Sequence, residues 1–251
     1  MTDTNDEAAG SPRRRGFVVA AVFVAALLVA AVVALVLPTA DPGQRQPTAE
    51  EPPVAGASAM DTEQDTTDAA ECDLPASDQA VPRTTPTDTE WELVGRVVAP
   101  TAPEVHGPAL TEPVRSCFAR TPIGALYAAV NALAATTLPD GGRVLAEDLA
   151  AEGPGRDVAL DNLSDAPPMP ATSGAPFQLA GFSFLSWTED ETVIDLAVLG
   201  VADQQGVYAH APMTLRWERG DWRLVYSRAG APFPRVQALP GLAGYVPWSG
   251  T

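Results

Sequence analysis

The sequence predicts an α+β domain held outside a membrane by a single N-terminal helix. Three observations carry that expectation. Residues 17–37 are an unbroken apolar run. Ile123, Leu126, Tyr127, Val130, Leu133 and Ala134 recur at spacings of three and four. From Phe177 onward the apolar period changes to two. Those periods belong to a helix with one buried face and to half-buried strands. Helices first and an antiparallel strand meander afterwards is the order of an α+β fold.

The apolar run comes first. Its 21 residues would span about 31 Å as a helix, roughly the thickness of a bilayer's hydrocarbon core. A tail at 1–16 precedes it and carries Arg13, Arg14 and Arg15 next to the run. Basic residues beside a span stay in the cytoplasm, so the rest of the chain is expected on the extracellular side of the cell membrane. A cleaved signal has a shorter apolar stretch and ends at a small-x-small site. Here Pro38 stands where the small residue is wanted, and no Cys follows the run to take a lipid. A retained single-pass anchor is the expectation.

The formal charge is −17, and residues 38–90 hold most of it, with twelve acids against Arg45 and Arg83. An acidic exterior argues against direct nucleic-acid binding or adhesion to anionic lipid through a basic patch. Residues 38–71 are rich in Pro, Thr, Ala, Gln, Asp and Glu. Such a segment cannot bury enough apolar surface to offset its ordering entropy, which predicts a disordered acidic linker. The folded domain is expected at 72–251. Its two cysteines, Cys72 and Cys117, fall on the outer side, where a pair of thiols is more often oxidised than free. Closing that loop would stabilise the fold by roughly 4 kcal/mol on the chain-entropy account.

Within the domain, 91–98 reads as a short strand or extended segment, and the prolines at 100, 103, 108 and 113 make the next stretch a loop. Thr121-Pro122 opens the helix expected over 122–137, with Thr as N-cap and Pro at the first helical position. Two shorter helices are expected at 143–151 and 157–163, broken by Gly153-Pro154-Gly155. Strands follow at 177–187, with a bulge at Gly181, at 192–199 and at 206–217. Pro212 inside the last of these predicts an edge position or a bulge. Arg219-Gly220-Asp221 is a tight turn, after which Trp222, Leu224 and Tyr226 line the core face of a final strand. Trp217, Trp222 and Leu224 are therefore expected core residues.

The segment Leu215-Arg216-Trp217-Glu218-Arg219-Gly220-Asp221-Trp222-Arg223-Leu224-Val225 resembles the last hairpin of nuclear-transport-factor-2-like domains. The resemblance implies helices packed on a curved antiparallel sheet that forms a cone. The stretch from Cys117 to Asn131, with Gly107-Pro108 upstream, resembles a group of single-pass proteins from actinobacterial mobile elements, whose neighbours are often conjugation genes. The whole plan is similar to the single-pass inner-membrane scaffold of type IV secretion systems, and also to Mce-associated membrane proteins. These resemblances imply a membrane-anchored scaffold of a transfer apparatus, with other membrane-complex subunits as partners. The alternative they leave open is an external cone that binds or transforms a small ligand.

Chemistry is weakly signalled. Cone-shaped relatives that act as isomerases or dehydratases use an Asp and a His inside the cone, and Asp195 and His210 are the candidates here. Each falls on the wrong parity of its strand, so unless a bulge at Pro212 flips the register both are expected to face solvent, with no desolvated pocket to tune them. No nucleophile-elbow, phosphate-loop or paired-carboxylate motif is present, and no cysteine or histidine spacing suits a metal. The expectation is no enzyme, no cofactor and no metal. The surfaces expected to meet partners are His210, Arg216 and Arg223 on the hairpin strands; the apolar tail with Phe233, Tyr245 and Trp248 is expected either to pack over its own sheet or helix or to form a partner-docking edge.

Overall fold

The computed structural model describes residues 72–164, 166, 177–202 and 205–250. The expected anchor at 17–37 and linker at 38–71 lie outside them. Among the described residues no helix is long and apolar enough to cross a membrane. Helices pack on an antiparallel sheet, the α+β class that the periodicity predicts.

An extended arm from Cys72 leads into β1 (Glu90–Val94) and β2 (Val97–Thr101), an antiparallel hairpin. The expectation of one strand over 91–98 is thus corrected, because the chain reverses at Gly95-Arg96. Gly95 has φ of 60°, and a Cβ there would fall 2.4 Å from the Thr137 hydroxyl. Glycine allows that close approach, and the hydroxyl accepts the Arg96 N–H at 3.1 Å.

Helix α1 (Pro122–Ala135) begins as its sequence dictates. The Thr121 hydroxyl accepts the Gly124 N–H at 3.0 Å, with Pro122 at the first position. The expected one-sided stripe is corrected, since every residue of α1 except Ile123 is buried. The β1–β2 hairpin covers one side, and a larger sheet covers the other. A helix apolar all round belongs in such a middle layer. Its one strongly polar residue, Asn131, is satisfied. It donates to the Pro100 and Tyr127 carbonyls at 3.0 and 2.9 Å and accepts from Arg115 Nε at 2.7 Å.

The short helices also differ from expectation. Helix α2 (Gly141–Val144) runs into a π-helical turn at Leu145–Leu149, and α3 (Pro154–Ser164) starts at the proline expected to break the region. Proline costs nothing at a helix start, where its missing N–H has no partner to lose.

The larger sheet contains β3 (Phe177–Trp187), β4 (Glu191–Ala202), β5 (Gln205–Glu218), β6 (Asp221–Leu224), β7 (Gln237–Leu239) and β8 (Val246–Pro247). Its order is β6-β5-β4-β3-β8, with β7 beside β5 further along that strand. The register between β3 and β4 shifts at Leu179/Gly181, where the bulge was expected. Pro212 sits in β5 opposite Asp195 without a register shift. On the other side of β5 it falls in the gap between β6 and β7, so this is a local edge. Arg219 and Gly220, with φ of 56° and 75°, make the two-residue β5–β6 turn. The alternating residues Ile194, Leu196 and Val198 and Ala209, Ala211, Met213 and Leu215 are all buried, and most join α1 in one apolar cluster.

Candidate functional site

Of the surfaces expected to meet partners, His210 and Tyr245 come together at Asp195, on the face of the sheet turned away from α1. Here the C-terminal tail matters most. It leaves β7 beside β5 and reaches β8 beside β3, so the chain between them crosses from one side of the sheet to the other. Tyr245 is its polar anchor. The Tyr245 hydroxyl donates to Asp195 Oδ2 at 2.7 Å, and His210 Nδ1 lies 2.8 Å from the same oxygen.

The sequence reading placed Asp195 and His210 in solvent. The structure corrects this. Parity is obeyed, but the tail covers the face, and Asp195 is only 6 % exposed. Burial and the neighbouring carboxylate push the Tyr245 phenol up, so it stays protonated and able to donate. A carboxylate that fixes Nδ1 of an imidazole also orients Nε2, the geometry a general base would use. In this fold the trio joins β4, β5 and the tail. Its chemical effect is first that of a clasp, whose second oxygen, Asp195 Oδ1, is buried without a partner among the described residues.

The structure decides between the two readings of the tail at Trp248, which is 3 % exposed and packs on its own chain. After β8 pairs with β3 the chain turns inward. The Trp248 ring then packs 5.1 Å from Trp91, 5.6 Å from Tyr127 and 5.6 Å from Phe182, centroid to centroid. Phe233 is half-buried against the same core. The apolar character of the tail thus serves the interior of its own chain.

The arginines are engaged too. Arg216 and Arg223 face each other across the β5–β6 hairpin. Arg216 pairs with Glu191 at 3.2 Å, and Arg223 donates to the Asp148 carbonyl. Trp222 and Leu224 are core residues, as expected. Trp217 sits at the rim instead, half-buried, with its ring edge-on to Trp222 and the Arg120 guanidinium 5.5 Å from its centroid.

Two anchoring groups escaped the sequence reading. Cys72 and Cys117 are joined as a disulfide, as expected, but what holds Cys117 in place is Asp221. The Asp221 carboxylate accepts the backbone N–H groups of Cys117, Phe118 and Trp222 at 2.9, 3.0 and 2.9 Å. Burial pushes this carboxyl up, and those three donors pull it back. The only signal was an Asp closing a tight turn, which many solvated turns share. Tyr245 was legible only as part of the apolar tail, and its role as an anchor was not, because its partner lies 50 residues away.

No curated protein and no solved structure matches this chain. A family model does match, over residues 51–247, which takes in every strand and helix described above. The chain therefore belongs to the DUF8175 family, a domain of unknown function.

Proposed function

We propose that this chain is a membrane-anchored, non-enzymatic scaffold whose external domain docks other subunits of a conjugative, type IV secretion-like apparatus. On this reading the helix and sheet are a nuclear-transport-factor-2-like cone whose interior has closed. The observation that supports it most is the filled space between α1 and the sheet. Leu126, Tyr127, Phe182, Leu196 and Trp248 are all buried there, in one continuous apolar cluster. A cone that binds or transforms a small ligand needs an open pocket with a few convergent polar groups at that place. The apolar run at 17–37 would hold the domain at the membrane surface, where tethering raises its effective concentration for membrane-bound partners.

Two experiments test this reading. Protease added to intact spheroplasts should remove the domain and spare the N-terminal stub; survival of the whole chain would reverse the topology. Photo-crosslinkers at Leu93 and Leu185, 72 % and 60 % exposed, should capture membrane-machine subunits in the native host. Transfer that persists undiminished after deletion of the domain, with nothing captured, would end the scaffold reading.

A further inference from the structure

The arm before β1 has no regular secondary structure, yet it is fastened along its length. The disulfide holds Cys72 to Cys117, and Gln79 Nε2 donates to the Arg120 carbonyl at 2.8 Å. Thr85 Oγ1 donates to the Pro247 carbonyl at 2.9 Å, and the Thr89 and Tyr127 hydroxyls share a hydrogen bond of 2.7 Å. Between this arm and the start of α1 lies a groove of about 500 Å³. That volume is in the range of ligand sites, and none of the residues that line it belongs to the clasp.

The lining has a consistent chemistry. Its carboxylates are Asp78 and Asp88, and no arginine lines the groove. Thr84, Thr87 and other hydroxyl side chains add further acceptors. Beside the groove, two buried polar atoms have no partner among the described residues: Oε1 of Gln79, next to Asp78, and Nδ1 of His106, which lines the groove. His106 packs edge-on against Tyr127 with centroids 5.4 Å apart. Burial lowers its pKa, against the pull of Asp88 and Asp78, so its ring favours the neutral form and can accept. Ile123, Val105 and Pro86 supply apolar surface of the kind that long aliphatic stems cover. Among the described residues no three His, Cys, Asp or Glu side chains are grouped so as to hold a metal ion.

We propose that this groove binds an arginine- or lysine-bearing extended segment of a partner protein, whose cationic head is held between Asp78 and Asp88 and whose stem lies over Ile123. Two carboxylates with no arginine among the lining residues, beside hydroxyls able to accept, describe the complement of a guanidinium or ammonium group. The inference rests on the docking reading for the source of the segment and gives it a partner chemistry. Its test is done on the purified protein, so the two can fail separately.

The full chain in non-ionic detergent is titrated against a fluorescein-labelled diarginine peptide, read by anisotropy. The same peptide with citrulline in place of arginine removes the charge and keeps the shape. Saturable binding is expected, weakened about tenfold by citrulline. The double variant Asp78→Asn with Asp88→Asn should weaken binding by about the same factor at unchanged melting temperature. Asn can still accept the Ala80 N–H that Asp78 accepts at 3.0 Å. Thr87→Trp keeps the charges, fills the groove, and should block the peptide. The proposal is overturned by the absence of saturable binding up to about 1 mM peptide, or by binding that the double variant leaves intact, which would place the peptide on the acidic linker. Binding of spermidine without the peptide would also overturn it, in favour of a free polyamine.

Discussion

The two faces of the larger sheet are covered by different means. Toward α1 the contact is apolar and continuous, built from alternating residues of β4 and β5 against a helix buried all round. On the opposite face a short stretch of tail does the covering, and its hold is directional: Tyr245 and His210 on one oxygen of Asp195. Apolar contact is non-directional and tolerates conservative exchange. A buried carboxylate with fixed partners tolerates very little, because losing one partner leaves a desolvated group unpaired. The first kind of covering specifies that a core exists, and the second specifies where the chain end must lie.

Substitutions should separate the two. The largest effect is expected on the apolar side. Trp248→Ala empties the space between Trp91, Tyr127 and Phe182 and should cost about 3–5 kcal/mol in chemical denaturation. A loss below about 1 kcal/mol would return Trp248 to the surface role that its sequence position suggests. Trp222→Ala should behave like Trp248→Ala, whereas Trp217→Ala, at the rim, should cost less.

Next in size is the disulfide, which ties the arm to the layer that carries α1. Replacing Cys72 and Cys117 together by Ser should cost about 2–4 kcal/mol. Alkylation followed by mass measurement should find no free thiol in the unreduced protein and two after reduction. Two thiols labelled without reductant would dissolve the bond, and with it one fastening of the groove wall.

Much of the apolar face was legible in the sequence. Period-two alternation gave Ile194, Leu196 and Val198 their direction, and Thr121-Pro122 marked where α1 begins. Both signals are local, arising within one turn or one strand. The helix was misread as one-sided because its second cover, the β1–β2 hairpin, was taken for a single strand. The difference turned on Gly95, whose need for positive φ is invisible until Thr137 is placed against it. The outer face was legible only in part. Parity sent Asp195 and His210 to it correctly, yet nothing local told that the tail would return over them. Trp248 stayed open between two readings for the same reason: an apolar chain end looks identical whether it seeks a partner or its own core. The fastening of Cys117 by Asp221 depends on a contact 104 positions apart, beyond any periodicity.

The smallest and most discriminating effects lie in the clasp. Asp195→Ala removes the shared acceptor and leaves a half-buried imidazole and phenol without it, so about 2 kcal/mol should be lost. Tyr245→Phe removes one neutral donor from a carboxylate that keeps His210, and about 1 kcal/mol is expected. If the clasp acts as a unit, the two losses will not add. With Asp195 already replaced, Tyr245→Phe should be nearly silent, and the double-mutant cycle should return a coupling of about 1 kcal/mol. Hydrogen exchange distinguishes the clasp from general weakening of the fold. In Tyr245→Phe the amides of β7 and β8 should lose protection while those of β4 and α1 keep theirs, because only the tail's hold has been loosened. Uniform loss of protection across the sheet would show that the two faces are not independently secured. Full additivity in the cycle would show that Tyr245 holds the tail through something other than Asp195.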